Sequence, residues 1–299
     1  MRKVFGIGET IFDIIFDQNN TPQSGKPGGS VFNALISLGR SGVNCSFISE
    51  VGNDRLGKLI REFLTANNVD NSSLCSFDNG KTPLALAFLD NNSNAQYDFY
   101  KDYPAQRLQF AMPKINADDI ILIGSYFALN PVLRKQVKDF LDYSRKANAL
   151  IYYDVNFRST HTHEADTLMP TIKENFQYAD IVKGSDEDFY NMFGTDDWRS
   201  AYHLHIKPYC PIFICTQGAK GATLLIEDNE YHIDGKDITP ISTVGAGDSF
   251  NAGTIYGIIQ NEISRSTLSS DAHTLIKALQ HGIEFSAEVC QSYDNYIKR

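Results

Sequence analysis

Nowhere in the 299 residues do 18 apolar residues run together, so no segment has the length of a membrane-spanning helix. Met1-Arg2-Lys3 resembles the start of a secretion signal, but Glu9 and Asp13 break the apolar stretch behind it. Cytoplasmic placement is the expectation. Excess positive charge is also missing: 27 Lys and Arg face 36 Asp and Glu, a formal net charge of −9. Such a chain repels phosphodiester backbones and anionic lipid, and no run of like charges offsets this, so neither nucleic acid nor membrane is an expected partner. The cysteines, Cys45, Cys75, Cys210, Cys215 and Cys290, are odd in number and never form Cys-x-x-Cys. A disulfide framework or zinc knuckle is thereby excluded in favour of buried thiols. His161-x-His163-Glu164 and His203-x-His205 lack an i, i+4 helical pair and read as loop or surface histidines. Internal repeats, low-complexity tracts and long linkers are absent.

What is present is a hydrophobic content of 42%, enough to bury a large core, and one domain over 1–299 is expected. Short β-rich apolar runs alternate with segments of helical period, the pattern of parallel strands joined by crossover helices. Strands are predicted at Val4–Gly8, Ser46–Val51, Ile120–Ser125, Ala149–Val155, Ile181–Lys183 and Ile212–Thr216. Helices are predicted at Val31–Leu38, Leu56–Ala66, Leu133–Lys146, Leu168–Phe176, Phe250–Ile259 and Thr274–Val289. In the first helix, Phe32, Leu35, Ile36 and Gly39 would form one buried stripe. The fold class is a doubly wound three-layer α/β sandwich with a mainly parallel central sheet. Ile14–Gln18 and a hairpin of Leu84–Leu89 and Gln96–Tyr100, turning at Asn91-Asn92-Ser93-Asn94, fall outside the alternation. With segments near 14–27 and 81–101 they suggest a small β lid over the ligand crevice.

Three glycine-rich turns could feed a helix N-terminus, where unpaired N–H groups and the helix dipole attract anions. Gly6-x-Gly8-x-x-Ile11 follows a strand but lacks the third glycine of a dinucleotide fingerprint. Gly52-Asn53-Asp54-Arg55-Leu56-Gly57-Lys58-Leu59 matches a P-loop until Leu59 replaces the hydroxyl that would hold magnesium. Thr243-Val244-Gly245-Ala246-Gly247-Asp248-Ser249-Phe250 enters a helix rich in small residues, with Asp248 in its first turn. Taken alone it reads equally as a structural glycine turn or as an anion hole with a carboxylate beside it. Phosphoryl transfer needs the latter pair: donors for the γ-phosphate and a base for the attacking hydroxyl. The helix dipole is expected to lower the Asp248 pKa.

These residues resemble the ribokinase-like, or PfkB, carbohydrate kinase family. Residues Thr243 to Phe250 resemble its C-terminal signature; Gly28-Gly29-Ser30-Val31-Phe32-Asn33-Ala34, Leu38-Gly39 and Val51-Gly52-Asn53-Asp54-x-x-Gly57 resemble its N-terminal one. The resemblance implies a ribokinase-like fold, ATP and Mg²⁺ as cofactors, and Asp248 as catalytic base beside a Gly245-Ala246-Gly247 anion hole. It implies that Asp13, Gly28, Gly29 and Asn33 bind sugar hydroxyls, where Asp13 or Asn33 alone would pass for a cap or surface residue. Thr216-Gln217-Gly218-Ala219-Lys220-Gly221, otherwise a glycine hairpin, resembles the nucleotide loop, with Thr216, Gly218 and Gly221 near ATP. Lys183 and Ser185-x-x-Asp188 stand at the family's Asn-x-x-Glu element, which implies phosphate contacts for Lys183 and Ser185 and a water-mediated magnesium contact for Asp188. Ser242 replaces an Asp that serves a monovalent-cation site in many members, which leaves dependence on such a cation open.

Asp154-Val155-Asn156-Phe157-Arg158 resembles an element of the fructokinase and 2-keto-3-deoxygluconate kinase branches, and Lys81 to Ala85 with Phe99-Tyr100-Lys101 resemble fructokinase lid strands. Arg158 could clamp phosphate or carboxylate, or form a surface ion pair. Arg158 and Tyr100 are candidate substrate contacts. Fructose kinase is the first expectation; a keto-deoxy acid or another ketose as acceptor is the alternative. A sugar- or nucleotide-binding regulator without catalysis is the rival from another class. The chain is expected to be a monomer or homodimer.

Overall fold

Residues 2–89 and 95–298 are described by a computed structural model; the turn expected at 91–94 lies outside them. In chain order the first half contains β1 (Val4–Ile7), β2 (Ile11–Phe16), β3 (Pro22–Gly28), α1 (Ser30–Arg40), β4 (Cys45–Gly52), α2 (Arg55–Ala66), β5 (Val69–Asp70), β6 (Leu74–Phe77), β7 (Lys81–Leu89) and β8 (Ala95–Asp102). The second half contains β9 (Ile120–Gly124), α3 (Arg134–Lys146), β10 (Leu150–Asp154), α4 (Ala165–Tyr178), β11 (Ile181–Ser185), α5 (Asp186–Phe193), α6 (Trp198–Ala201), β12 (Ile212–Thr216), β13 (Ala222–Ile226), β14 (Asn229–Ile233), α7 (Ala246–Gln260) and α8 (Ala272–Cys290).

The central sheet runs β14-β13-β12-β11-β10-β9-β1-β4-β5, with β6 also on β4. From β5 to β12 every pairing is parallel; β13 and β14 are antiparallel. A strand covered on both faces is apolar throughout, and Ile120-Ile121-Leu122-Ile123 feeds the two cores alternately. One core holds α1, α2, α7 and α8; the other holds α3 to α6. The fold is the expected three-layer sandwich, and all the expected strands and helices are present with shifted ends.

Several features differ from the sequence reading. Helix α1 has no single stripe: Val31 through Gly39 are all buried, because the helix lies between the sheet and α7. Gly6 and Gly8 serve that packing, since a Cβ there would come 2.6 Å from Leu35 and 2.7 Å from Val31 respectively. The P-loop-like turn is structural too. Its Asp54 caps α2 through Gly57 N–H and accepts from Thr82 at the base of β7.

The lid is a separate four-stranded sheet, ordered β3-β2-β7-β8. The expected Ile14–Gln18 starts three residues late and overruns the end of β2, and no strand is expected at β3, whose Pro22, Gly25 and Pro27 argue against one. An edge strand tolerates them because only one side of it must pair. Strands β5, β6 and β14 and helices α5 and α6 are likewise outside the sequence expectation, whereas β13 follows the glycine hairpin as expected.

Candidate active site

The turn before α7 ends in Gly245, whose φ of 80° is left-handed and where a Cβ would meet the Asn295 carbonyl oxygen at 2.5 Å. Ala246 N–H donates back to Thr243 O at 3.2 Å, and Ser249 N–H closes the first helical bond to Gly245 O at 2.9 Å. No side chain caps the helix. Among the described residues, the N–H groups of Gly247 and Asp248 therefore have no partner. Gly247 is exposed and Asp248 buried beneath it. The donors left open at this turn, where an anion can be held, are those of Gly247 and Asp248, while that of Ala246 is turned back on Thr243.

Asn33, buried on α1, donates from Nδ2 to Asp248 Oδ2 at 2.8 Å. Its other amide atom, Oδ1, is buried with no partner among the described residues. The expected depression of the Asp248 pKa is not found: it is pushed up to about 6. Burial is the largest cause; Asn33 opposes it, Asp154 adds to it, and Arg158 and Lys183 draw it down. Desolvation outweighs the helix dipole because the carboxylate sits below the rim of the turn.

Asp13, on β2, lies against Gly28, where a Cβ would come 2.5 Å from its Oδ2. Gly29, with φ 126°, then turns the chain into α1 and places Asn33. Burial raises the Asp13 pKa to about 6, with Lys26 opposing and Glu9 reinforcing the shift. Lys26 pairs with Asp13 across the hairpin and donates to Tyr293 O at 2.8 Å and Asn295 Oδ1 at 3.1 Å, linking the lid to the tail that supports Gly245.

Strand register decides which lid side chains share a face with Asp13. Asp13 pairs with Ala85, and Ala85 with Phe99; Tyr97, two residues away, shares that face and stacks on Phe99 at 5.8 Å. Tyr100 pairs with Leu84 and belongs to the opposite face, 57% exposed, so the lid aromatics beside Asp13 are Tyr97 and Phe99 in its place. Lys101 is paired with Glu9 at 2.7 Å, and Tyr103 donates to the same Oε1 at 2.9 Å. Arg158 is exposed, without an ion pair among the described residues, and its charge reaches both Asp248 and Tyr97.

Toward the C-terminal ends of β10 to β12, Lys183 is buried and donates to Asp154 at 3.0 Å; its Nζ lies 3.5 Å from where a Cβ on Gly247 would stand. Thr216 ends β12, and its hydroxyl donates to Gly184 O at 3.4 Å. Gly218 and Gly221 bracket the next turn; a Cβ at Gly221 would meet Ile233 O at 2.1 Å. Ser185 and Asp188 form a reciprocal capping box on α5. Asp188 Oδ2 accepts from Ser185 N and Oγ, and Oδ1 from Phe157 N at 2.7 Å. The capping box was not foreseen, although Ser-x-x-Asp before an apolar run is its local signal. With three chain donors on it, Asp188 suits a water-mediated contact to magnesium and not direct coordination. No trio of His, Cys, Asp or Glu arranged for a metal occurs among the described residues.

The model of the pfkB family carbohydrate kinases matches residues 1–297. A fructokinase of Rhizobium leguminosarum bv. trifolii is 29% identical over 278 residues, covering 90% of this chain and 84% of the relative. The aminoimidazole riboside kinase of Salmonella typhimurium is 25% identical over 260 residues, covering 86% of this chain and 81% of the relative. Among solved structures, the fructokinase double mutant of Vibrio cholerae O395, with fructose, ADP and potassium bound, superposes with a TM-score of 0.84 at 23% identity, covering 99% of this chain and 94% of that one. That likeness speaks to the fold.

Proposed function

The chain belongs to the pfkB family of carbohydrate kinases, and we propose that it transfers the γ-phosphoryl group of ATP to a hydroxyl of fructose. It is a phosphotransferase with a sugar acceptor; the choice of sugar and the residue roles are our reading. The observation that carries it is the pair Asn33–Asp248 at the open end of α7. A buried amide oxygen lacking a donor, beside a buried carboxylate lacking a proton, suits a hydroxyl that donates to one or the other.

Asp248 takes the hydroxyl proton as the sugar oxygen bonds to the γ-phosphorus. The bond from that phosphorus to the bridging oxygen breaks, and ADP leaves with the electron pair. The N–H groups of Gly247 and Asp248 and the Lys183 ammonium face the charge of the transferring phosphoryl group. Asp13, Gly28 and Gly29 with Asn33 hold the sugar hydroxyls, Tyr97 and Phe99 cover the ring, and Arg158 reaches over both. Thr216, Ser185, Gly218 and Gly221 border the nucleotide. Magnesium bound with ATP would neutralise phosphate charge, and Asp188 would hold it through water.

Fructose is favoured over a keto-deoxy acid because Lys101, one of two cations suited to a substrate carboxylate, is held by Glu9. Asp13 and Asp248 would also repel an acid. The far face of the lid carries Phe16, stacked on Phe88 at 4.8 Å, and, four residues further along the paired strands, the exposed Tyr100, which supports a homodimer over a monomer. ADP release measured with ATP and a panel of fructose, other ketoses, 2-keto-3-deoxygluconate and aminoimidazole riboside tests the reading. Fructose should give the highest kcat/KM; no turnover with any acceptor, with saturable ligand binding, would instead favour a regulator.

A further inference from the structure

We infer that Asn251, acting with Tyr152 through Asp154, is a positioning residue that aims the Lys183 ammonium at the phosphoryl group held over the start of α7. The inference rests on the phosphoryl-transfer reading, and Asn251, Tyr152 and Asp154 play no part in it so far.

Asn251 lies one helical turn beyond Asp248, so both side chains project from the same side of α7. Its Nδ2 donates to Asp154 Oδ2 at 2.7 Å, and its Oδ1 accepts from the Tyr152 hydroxyl at 3.2 Å. Both ends of the amide are used, which fixes its orientation. Asp154 Oδ1 accepts from Lys183 Nζ at 3.0 Å, so both carboxylate oxygens are directed and the carboxylate cannot rotate freely. Asn251 and Asp154 are each 2% exposed, Lys183 4% and Tyr152 fully buried, so water does not compete for these bonds.

An ammonium has three donors. Lys183 uses one, on Asp154, among the described residues, and its Nζ stands 3.5 Å from where a Cβ on Gly247 would lie. Burial draws its pKa down, but Asp154, Asp188 and Asp248 together raise it, so it stays charged. A buried cation with unused donors beside open backbone N–H groups is arranged for an incoming anion. Because Asn251 and Asp248 share one helix, the base and the phosphate-facing cation are held in one frame. Lys183 reaches that frame only through Asp154.

The test uses the full chain with the sugar that gives turnover, together with calorimetric titration of ATP. Asn251→Ala should lower kcat by about tenfold or more and weaken ATP binding by several-fold, with the sugar KM within about twofold. Tyr152→Phe should show the same pattern more weakly, about threefold in kcat, and it decides the matter if the alanine variant does not fold. Combined with Lys183→Met, neither change should add a further loss, since the side chain to be aimed is gone. Ser144→Ala, a buried polar change on α3 whose hydroxyl donates only to Phe140 O among the described residues, should leave all constants unaltered. Folded variants with wild-type kcat and ATP affinity, or losses that multiply with Lys183→Met, overturn the inference. If the parent chain phosphorylates no sugar, the proposed function fails instead, and ATP affinity still reports on the aim of Lys183.

Discussion

Asn33 Nδ2 donates to Asp248 Oδ2 at 2.8 Å across 215 residues of sequence. The bond joins the first helix to the seventh, and it leaves Asp248 with one oxygen uncommitted and Asn33 with a bare amide oxygen. If Asp248 is the base, Asp248→Asn should lower kcat by about 10³-fold while ATP titrates with near-normal affinity. Turnover within tenfold of the parent would remove Asp248 from the mechanism.

The Asp248 and Asp13 carboxyls are both raised to about 6. Since the ionised base is the active form, log kcat/KM should bend downward below pH 6, and a profile flat to pH 5 contradicts the assignment. The stability consequence has the opposite sign. A carboxyl whose folded pKa lies above its unfolded one burdens the fold at neutral pH, and the burden lifts as pH falls from about 6 toward 4. Asp248→Asn, which deletes that buried charge, should therefore stabilise the fold at pH 7 by up to about 3 kcal/mol, read as a higher Tm.

Glu9 fastens the lid strand β8 to the end of β1 through Lys101 and Tyr103. These groups are partly exposed, so the latch contributes about 1 kcal/mol or less. Glu9→Gln is expected to raise the sugar KM about two- to fivefold with kcat nearly constant, and the gap should shrink in high salt. A fall in kcat at constant KM would show that Glu9 does something other than hold the lid.

Asp188 is tied by three chain donors. Asp188→Ala should cost about 1–3 kcal/mol in denaturant unfolding, because it strips the Ser185 and Phe157 N–H groups of their acceptor. A parent-like midpoint accompanied by weaker magnesium dependence would make Asp188 a metal residue first.

Ser242 occupies the turn before α7, and its hydroxyl accepts from Val244 N at 3.2 Å. A hydroxyl here supplies no charge to a monovalent cation, and one of its lone pairs is already taken by Val244. Turnover in potassium chloride and in tetramethylammonium chloride of equal ionic strength should agree within about twofold; strong activation by potassium would show that the turn binds it despite the missing carboxylate.

Local chain chemistry made parts of this molecule legible. The apolar strands of the parallel sheet announce themselves because both faces are buried, and the first glycine before Asp248 is demanded by a left-handed φ at Gly245 and its contact with Asn295. Strand β3 was hidden because an edge position tolerates the prolines that sequence patterns count against a strand. Helix α1 gave a partial pattern because neighbours on two sides bury a face that a surface helix would expose.

The remainder depended on approach through space. Which lid aromatics overlook Asp13 follows from pairing register, and a shift of one residue moves the choice from Tyr100 to Tyr97 and Phe99. The Asp248 pKa follows from desolvation, a property of everything packed around it and not of its helix position. Lys101 was spoken for by Glu9, and Lys183 was aimed by Asn251 and Asp154, partners far away in the chain. Sequence alone determined which residues can do the chemistry, since donors, acceptors and glycine freedom are local properties. Tertiary structure decided which of them meet, because distance and dielectric exist only in the folded chain.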